Sequence, residues 1–186
     1  DWIVSLGVCF NVYNDARALP GMLENASQFE DDLFCVHSGP SGKKSGDGTI
    51  ELLEKWGVRH IFRDISVGFG VIRTEALHGL TTEFGVIMDA DERMPVLQPL
   101  MRCQGDEQYP GTPVPNLAVT HEGVYNHGAM LKGMAESCEV DCIRVVRRHW
   151  LDFSWKRPCQ NWEVHRDYQC RILRNRDYIG FKPEEK

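Results

Sequence analysis

Phe84-Gly85-Val86-Ile87-Met88-Asp89-Ala90-Asp91-Glu92-Arg93 is the stretch from which the fold is read. An unbroken apolar run is followed at once by three acids within four positions. A short apolar run suits a strand buried on both faces of a parallel sheet. The acids then leave at its carboxyl end, where open α/β sheets take their ligands. Asp89 and Asp91, one residue apart, can approach a divalent cation together, because Mg²⁺ and Mn²⁺ prefer carboxylate oxygens. Such a cation would in turn hold phosphate oxygens. The plainer alternative is a solvated turn, since Asp-x-Asp is common by chance, but the strand in front favours a functional site.

Working outward, Ile72, Ala76, Leu77 and Leu80 fall on one helical face just before this strand. Further upstream, Ile3 to Phe10 reads as a first strand, with a polar loop from Asn11 to Asp15 at its carboxyl end. Pro20 suits the first turn of the helix that follows. Leu33 to Val36 reads as a second strand and Val58 to Phe62 as a third. His37 to Gly48 is a loop by composition, and Asp47 or Thr49 is placed to cap a helix whose apolar face is Ile50, Leu53 and Trp56. Gly57 sits where a left-handed helix end is expected. Strands and helices alternate, which predicts an α/β fold with a mostly parallel, right-handedly connected sheet.

The chain has 186 residues and a formal net charge of -6. Its length suits one domain, 1–186, with a real core. The negative balance argues against a nucleic-acid binder, and no segment has the length of a membrane span. The chain opens without Met, directly in a strand, and so reads as a possible excerpt of something longer. Seven scattered cysteines, Cys9, Cys35, Cys103, Cys138, Cys142, Cys159 and Cys170, read as reduced, core-packing thiols of a cytoplasmic protein. Cys138 and Cys142 have the spacing of a helical turn, but no second pair accompanies them at finger spacing, so zinc is not expected.

Two phosphate-binding signatures fail. Gly42-Lys43 is followed by Lys44 rather than Ser or Thr, and His37 stands where a P-loop needs its first glycine. After the first strand stands Asn11-Val12-Tyr13-Asn14 instead of a dinucleotide-binding glycine pattern.

The order of the remaining pieces resembles a family 2 glycosyltransferase of the GT-A fold, closest to the branch that glycosylates bacterial envelope cores and surface glycans. Val4 to Asn14 is similar to that family's opening strand and polar loop. Val36-His37-Ser38-Gly39 with Asp47-Gly48-Thr49 resembles its Asp-Thr-Gly-Ser and Asp-Gly-Thr, and Phe69 to Leu77, containing Arg73, its helix before the acidic strand. Met88-Asp89-Ala90-Asp91-Glu92 is a close match to its Leu-Asp-Ala-Asp-Glu. Arg144 to Arg148 and Asp167 to Arg174 resemble its second half. His37 departs from the family's usual Asp, Gly68 from another Asp and Thr74 from an Asn; residues 94–141 match nothing in the pattern.

The resemblance implies a GT-A domain with a nucleotide-sugar-binding half at 1–93 and an acceptor-side half at 94–186, the latter completing the sheet with a small antiparallel ribbon. It implies transfer of a sugar, with inversion, from a nucleotide donor, with uracil the expected base (a UDP-sugar), to an acceptor hydroxyl on a glycan or glycoconjugate, assisted by Mn²⁺ or Mg²⁺. Asp91 would be the principal metal ligand, with Asp89 beside it near the ribose or donor sugar. Asn11, His37, Asp47 and Arg73 would join these two in the donor site. Arg73 would pair with Asp89 or with phosphate, or form a structural salt bridge. Lys43 and Lys44 would lie near the phosphates or simply in a solvated loop. An inverting transfer needs a carboxylate to take the acceptor proton; Asp167 is favoured, with Glu163 next and Asp152 behind. His165 is a possible third metal ligand or a structural histidine. Trp150, Trp155 and Trp162 form either a stacking surface for an acceptor sugar or a core cluster.

Two other classes share these features. A metal-dependent sugar-phosphate nucleotidyltransferase would consume a nucleoside triphosphate and release pyrophosphate. A non-catalytic carbohydrate- or partner-binding module would keep the fold without metal dependence.

Overall fold

Alternate residues of the first strand serve two different cores. In the computed structural model, which describes residues 5–93, 141–147 and 167–181, β1 spans Leu6–Val12. Leu6, Val8, Phe10 and Val12 pack on one face against Leu19, Met22, Leu23 and Ala26 of α1 (Leu19–Ala26) and Leu53 of α2 (Thr49–Lys55). Cys9 turns to the opposite face, where Ile72, Ala76 and Leu77 of α3 (Phe69–His78) cover it. Side chains alternate across a strand, so helices on both faces require a strand that is apolar at every position. Burial pushes the Cys9 thiol up to about 12, so it packs as an apolar group, as expected for a core cysteine.

Among the described residues the sheet has six strands in the order β3-β2-β1-β4-β6-β5. β2 (Asp32–Gly39), β3 (Arg59–Asp64) and β4 (Phe84–Ile87) join β1 in a parallel array, with Gly7 opposite Asp32 on one side and Leu6 opposite Phe84 on the other. β6 (Asp167–Arg174) runs antiparallel to β4, and β5 (Cys142–Arg147) pairs antiparallel with β6. The expected fold class, a mostly parallel α/β sheet with helices on both faces and an antiparallel ribbon, is therefore observed.

Several local expectations shift. The second strand runs on through His37, Ser38 and Gly39, because parallel pairing to β1 continues to His37 and pairing to β3 to Gly39. Trp56 is exposed and Ile50 only partly buried, so the buried face of α2 is made by Thr49 and Leu53; Trp56 comes after the last helical residue. Cys142 opens a strand, so it is not on a helical turn, and Cys138 lies outside the described residues. Gly57, at φ 68°, does take the left-handed conformation expected at the end of α2. Pro20 sits in the first turn of α1 as expected.

The order of connection creates the site. From β1 the chain moves to β2 and β3 on one side, then returns to β4 on the other. Loops leaving β1 and β4 consequently diverge at their carboxyl ends, which is where such sheets open a crevice.

Candidate functional site

That crevice is a cleft of about 390 Å³. Asn11, Asn14, Asp15, Arg17 and Ala18 line it from the β1 side; Asp89, Ala90 and Asp91 line it from the β4 side. The sequence reading named Asn11, Asp89 and Asp91 here. Asn14, Asp15 and Arg17 went unassigned, although all stand in the polar loop after the first strand, and position alone could have nominated them.

The β1 loop is held partly by its own polar groups and partly by Ser45, Asp47 and Thr49 of the loop before α2. Asn14 takes the left-handed conformation, φ 55°, which Asn tolerates better than most residues. The Asp15 carboxylate accepts a hydrogen bond from the Tyr13 amide at 2.9 Å, and its carbonyl accepts those of Ala18 and Leu19 at the start of α1. Partial burial, and the negative charges of Asp91, Asp47 and Asp89, raise the Asp15 pKa against the lowering effect of the Tyr13 amide. Asn11 is half-buried, and no hydrogen bond engages its carboxamide among the described residues.

The acidic turn has two unlike members. Asp89 is bracketed by arginines: Arg73 Nη2 from α3 lies 3.0 Å from Oδ1, and Arg171 Nη2 from β6 lies 3.5 Å from Oδ2. Of the alternatives open for Arg73, the pair with Asp89 is present. The Asp89 amide donates to Glu92 Oε2 at 3.0 Å, and the Glu92 amide donates back to the Asp89 carbonyl at 2.9 Å, a reciprocal cap across three residues. Asp91, in contrast, is exposed, and no hydrogen bond or ion pair occupies its carboxylate among the described residues. Arg93 fastens the turn to the helix beside it, donating to the carbonyls of Ala90, Glu92 and Ala18. Gly21 makes room for this guanidinium, because a Cβ there would collide with it.

His37 and Asp47 stand apart from the cleft lining. His37 is buried at the end of β2, between the rings of Tyr13 and Phe62. Its Nε2 accepts from the Ser45 amide at 3.1 Å and lies 2.8 Å from the Ser45 hydroxyl, which assigns the ring proton to Nδ1. Burial lowers its pKa, helped by the positive charges of His60 and Lys44. Asp47 accepts from the Thr49 hydroxyl at 2.6 Å, the Thr49 amide at 3.1 Å and the Ala16 amide at 3.0 Å. Desolvation pushes Asp47 upward, but these hydrogen bonds outweigh it and leave its pKa lowered. Both side chains thus brace the loop between β2 and α2 against the β1 loop. Lys43 and Lys44 are exposed.

Asp167 is the first residue of β6, opposite Arg147 in the ladder. Because β6 is antiparallel to β4, it begins at the sheet edge where β1 and β4 end. Glu163, Asp152, His165, Trp150, Trp155 and Trp162 lie outside the described residues. Among the described residues, no three His, Cys, Asp or Glu side chains converge as a ready-made metal cage. No described helix is long and apolar enough to cross a membrane.

No protein-family model matches the chain, and no curated protein matches its sequence. Solved structures do resemble it in part. S. aureus TarS 1-349 aligns at 20% identity and a TM-score of 0.41, covering 48% of this chain and 28% of that one. The mannosyltransferase PcManGT from Pyrobaculum calidifontis, in complex with GDP-Man and Mn²⁺, aligns at 23% identity and a TM-score of 0.40, covering 50% and 29%. S. aureus TarS 1-349 in complex with UDP-GlcNAc aligns at 19% identity and a TM-score of 0.37, covering 48% and 27%. The chain thus spans less than a third of the length of each.

Proposed function

We propose that this chain is the donor-binding part of a metal-dependent nucleotide-sugar glycosyltransferase, with uracil as the donor base, acting on an acceptor hydroxyl of a glycan or glycoconjugate. One observation carries the reading: Asp91 presents an uncommitted carboxylate in a cleft at the topological switch point of a parallel sheet.

The residues present fit a Mn²⁺ or Mg²⁺ ion. Asp15 is raised in pKa partly by the neighbouring carboxylates, which means that the cleft carries negative charge that a cation would relieve. Mg²⁺ in particular binds through one or two carboxylates and completes its shell with water and substrate phosphate, so a full protein cage is not required. Asp91 is the ligand in this reading. Asp89, engaged by Arg73 and Arg171, shapes the turn and borders the donor. When bound, the metal supplies charge stabilisation to a departing diphosphate.

The chain's own groups do the rest. The Asn11 carboxamide is available to donate to or accept from the ribose or base. Arg73, on the α3 side of Asp89, adds a positive charge next to the diphosphate. Asp167, where β6 starts at the same sheet edge, is the candidate to take the acceptor proton with inversion; Glu163 is the second candidate. His37 and Asp47 hold the neighbouring loop in this reading and act on the donor only through it.

Calorimetric titration with UDP, GDP and dTDP, each with and without Mn²⁺, tests the proposal. The expected result is binding of one nucleotide that requires Mn²⁺ and disappears in Asp91→Ala. Equal binding with and without metal would overturn the metal assignment. Absence of any nucleoside diphosphate binding, with pyrophosphate release from a nucleoside triphosphate, would move the chain to the nucleotidyltransferases.

A further inference from the structure

β6 carries an irregularity at one position. Ile143 pairs with Ile172, but the next residue, Arg144, pairs with Cys170. Arg171 is the extra residue of a β-bulge, a device that re-aims a side chain and that recurs beside active sites. Its guanidinium is almost completely buried, with the side chain only 4% exposed. Nη2 hydrogen-bonds Glu92 Oε1 and lies 3.5 Å from Asp89 Oδ2, while Nη1 lies 3.5 Å from the Ile87 carbonyl at the end of β4. Glu92, gripped through one oxygen, uses the other to accept the Asp89 amide. The two contacts therefore reach Asp89 along separate routes, through its carboxylate and through its backbone. Asp91 lies inside the segment that they enclose.

We propose that Arg171 is a positioning residue: the bulge in β6 aims it through Glu92 at the turn after β4, and this holds the Asp91 carboxylate toward the cleft. The inference rests on reading that cleft as a metal–diphosphate site. Arg171 is buried behind the turn and needs no contact with the ligand. A side chain that orients a metal ligand in this manner commonly governs affinity by about 10- to 100-fold.

A purely structural role is separable from positioning, because a buried ion pair can be replaced by apolar side chains with little loss of stability, whereas breaking one half of it is costly. The probes are Mn²⁺ alone, followed by electron paramagnetic resonance, and UDP with Mn²⁺, followed calorimetrically; thermal melting runs alongside. Arg171→Met should lower the melting temperature and weaken Mn²⁺ binding by about 10- to 100-fold. Arg171→Met combined with Glu92→Met should recover part of the melting temperature, the Asp89 amide having lost its acceptor, but not the Mn²⁺ affinity. Arg171→Lys, which keeps the charge without the planar fork, serves as the milder variant and should lose several-fold. Arg174→Gln, which breaks the Glu83 pair on the same strand, should bind Mn²⁺ as the parent does. Parental Mn²⁺ affinity in Arg171→Lys or in the double variant would overturn this inference alone. A parent protein that binds neither Mn²⁺ nor UDP with Mn²⁺ would overturn the reading of the cleft, and this inference with it.

Discussion

The loop after β2 and the turn after β4 leave the same edge of the sheet, and both carry residues whose sequence suggested donor contacts. They use their polar groups in opposite ways. In the first, His37, Ser45, Asp47 and Thr49 bond one another and the loop of Asn14 and Ala16. The Asp64 carboxylate from β3 completes that network by accepting the Gly42 amide at 2.8 Å. In the second, Asp89, Glu92, Arg73, Arg93 and Arg171 form the frame, and Asp91 is left facing the cleft. A group paired within the loop reads as scaffold, and an uncommitted carboxylate lining a cleft as a binding group.

The sharpest way to break this contrast is Asp91→Ala. It should lower metal-dependent nucleotide binding or transfer by at least about 100-fold, the scale of losing a group that meets developing charge. Its stability should stay within about 0.5 kcal/mol of the parent, as for an exposed residue away from any network. Unfolding in urea and nucleotide titration would check both halves.

Asp47→Ala should do the reverse. Gly48, not Asp47 or Thr49, is the N-cap of α2, but Asp47 accepts three hydrogen bonds, and removing them costs about 1–2 kcal/mol while Mn²⁺ affinity is retained. A large loss of Mn²⁺ affinity with stability intact would place Asp47 among the binding groups instead. The pH dependence sharpens the point. Asp47 has a lowered folded pKa, so its stabilisation is present above the ordinary carboxylate range and is lost as pH falls through that lowered value. Asp47→Asn should therefore be most destabilised relative to the parent near neutral pH and approach it in acid, as urea melts across the acid range would reveal.

Ser45→Ala removes the hydroxyl that accepts the Asn14 amide and meets His37 Nε2. A loss of about 1 kcal/mol is expected, since the site is partly open to water. The smallest effect should come from Arg63→Gln, which breaks an exposed pair with Glu75 outside both loops; about 0.2–1 kcal/mol is the range for such pairs. Together these variants set the baseline against which the two loops are judged.

Local pattern was enough to read much of this chain. Phe84 to Ile87 had to be a buried strand because it is apolar at every position, and Asp89 and Asp91 had to emerge at its end. The spacing of Ile72, Ala76 and Leu77 likewise announced the helix that covers the sheet, whereas Leu80, read onto the same helical face, follows the last helical residue His78 and joins the core from the loop. Residue type without partners misled elsewhere. His37 looked like a loop residue, yet its strand continues because β1 and β3 supply partners that no local pattern reveals. Trp56 fitted an apolar helical spacing but fell past the last turn. The sequence by itself determined the alternation of strands and helices and the place of the acids, because both follow from periodicity along the chain. Only the tertiary structure decided that Asp89 is held and Asp91 is open. That distinction depends on Arg73 and Arg171 arriving from two separate segments, and on a strand pairing that skips Arg171, neither of which nearest-neighbour chemistry encodes.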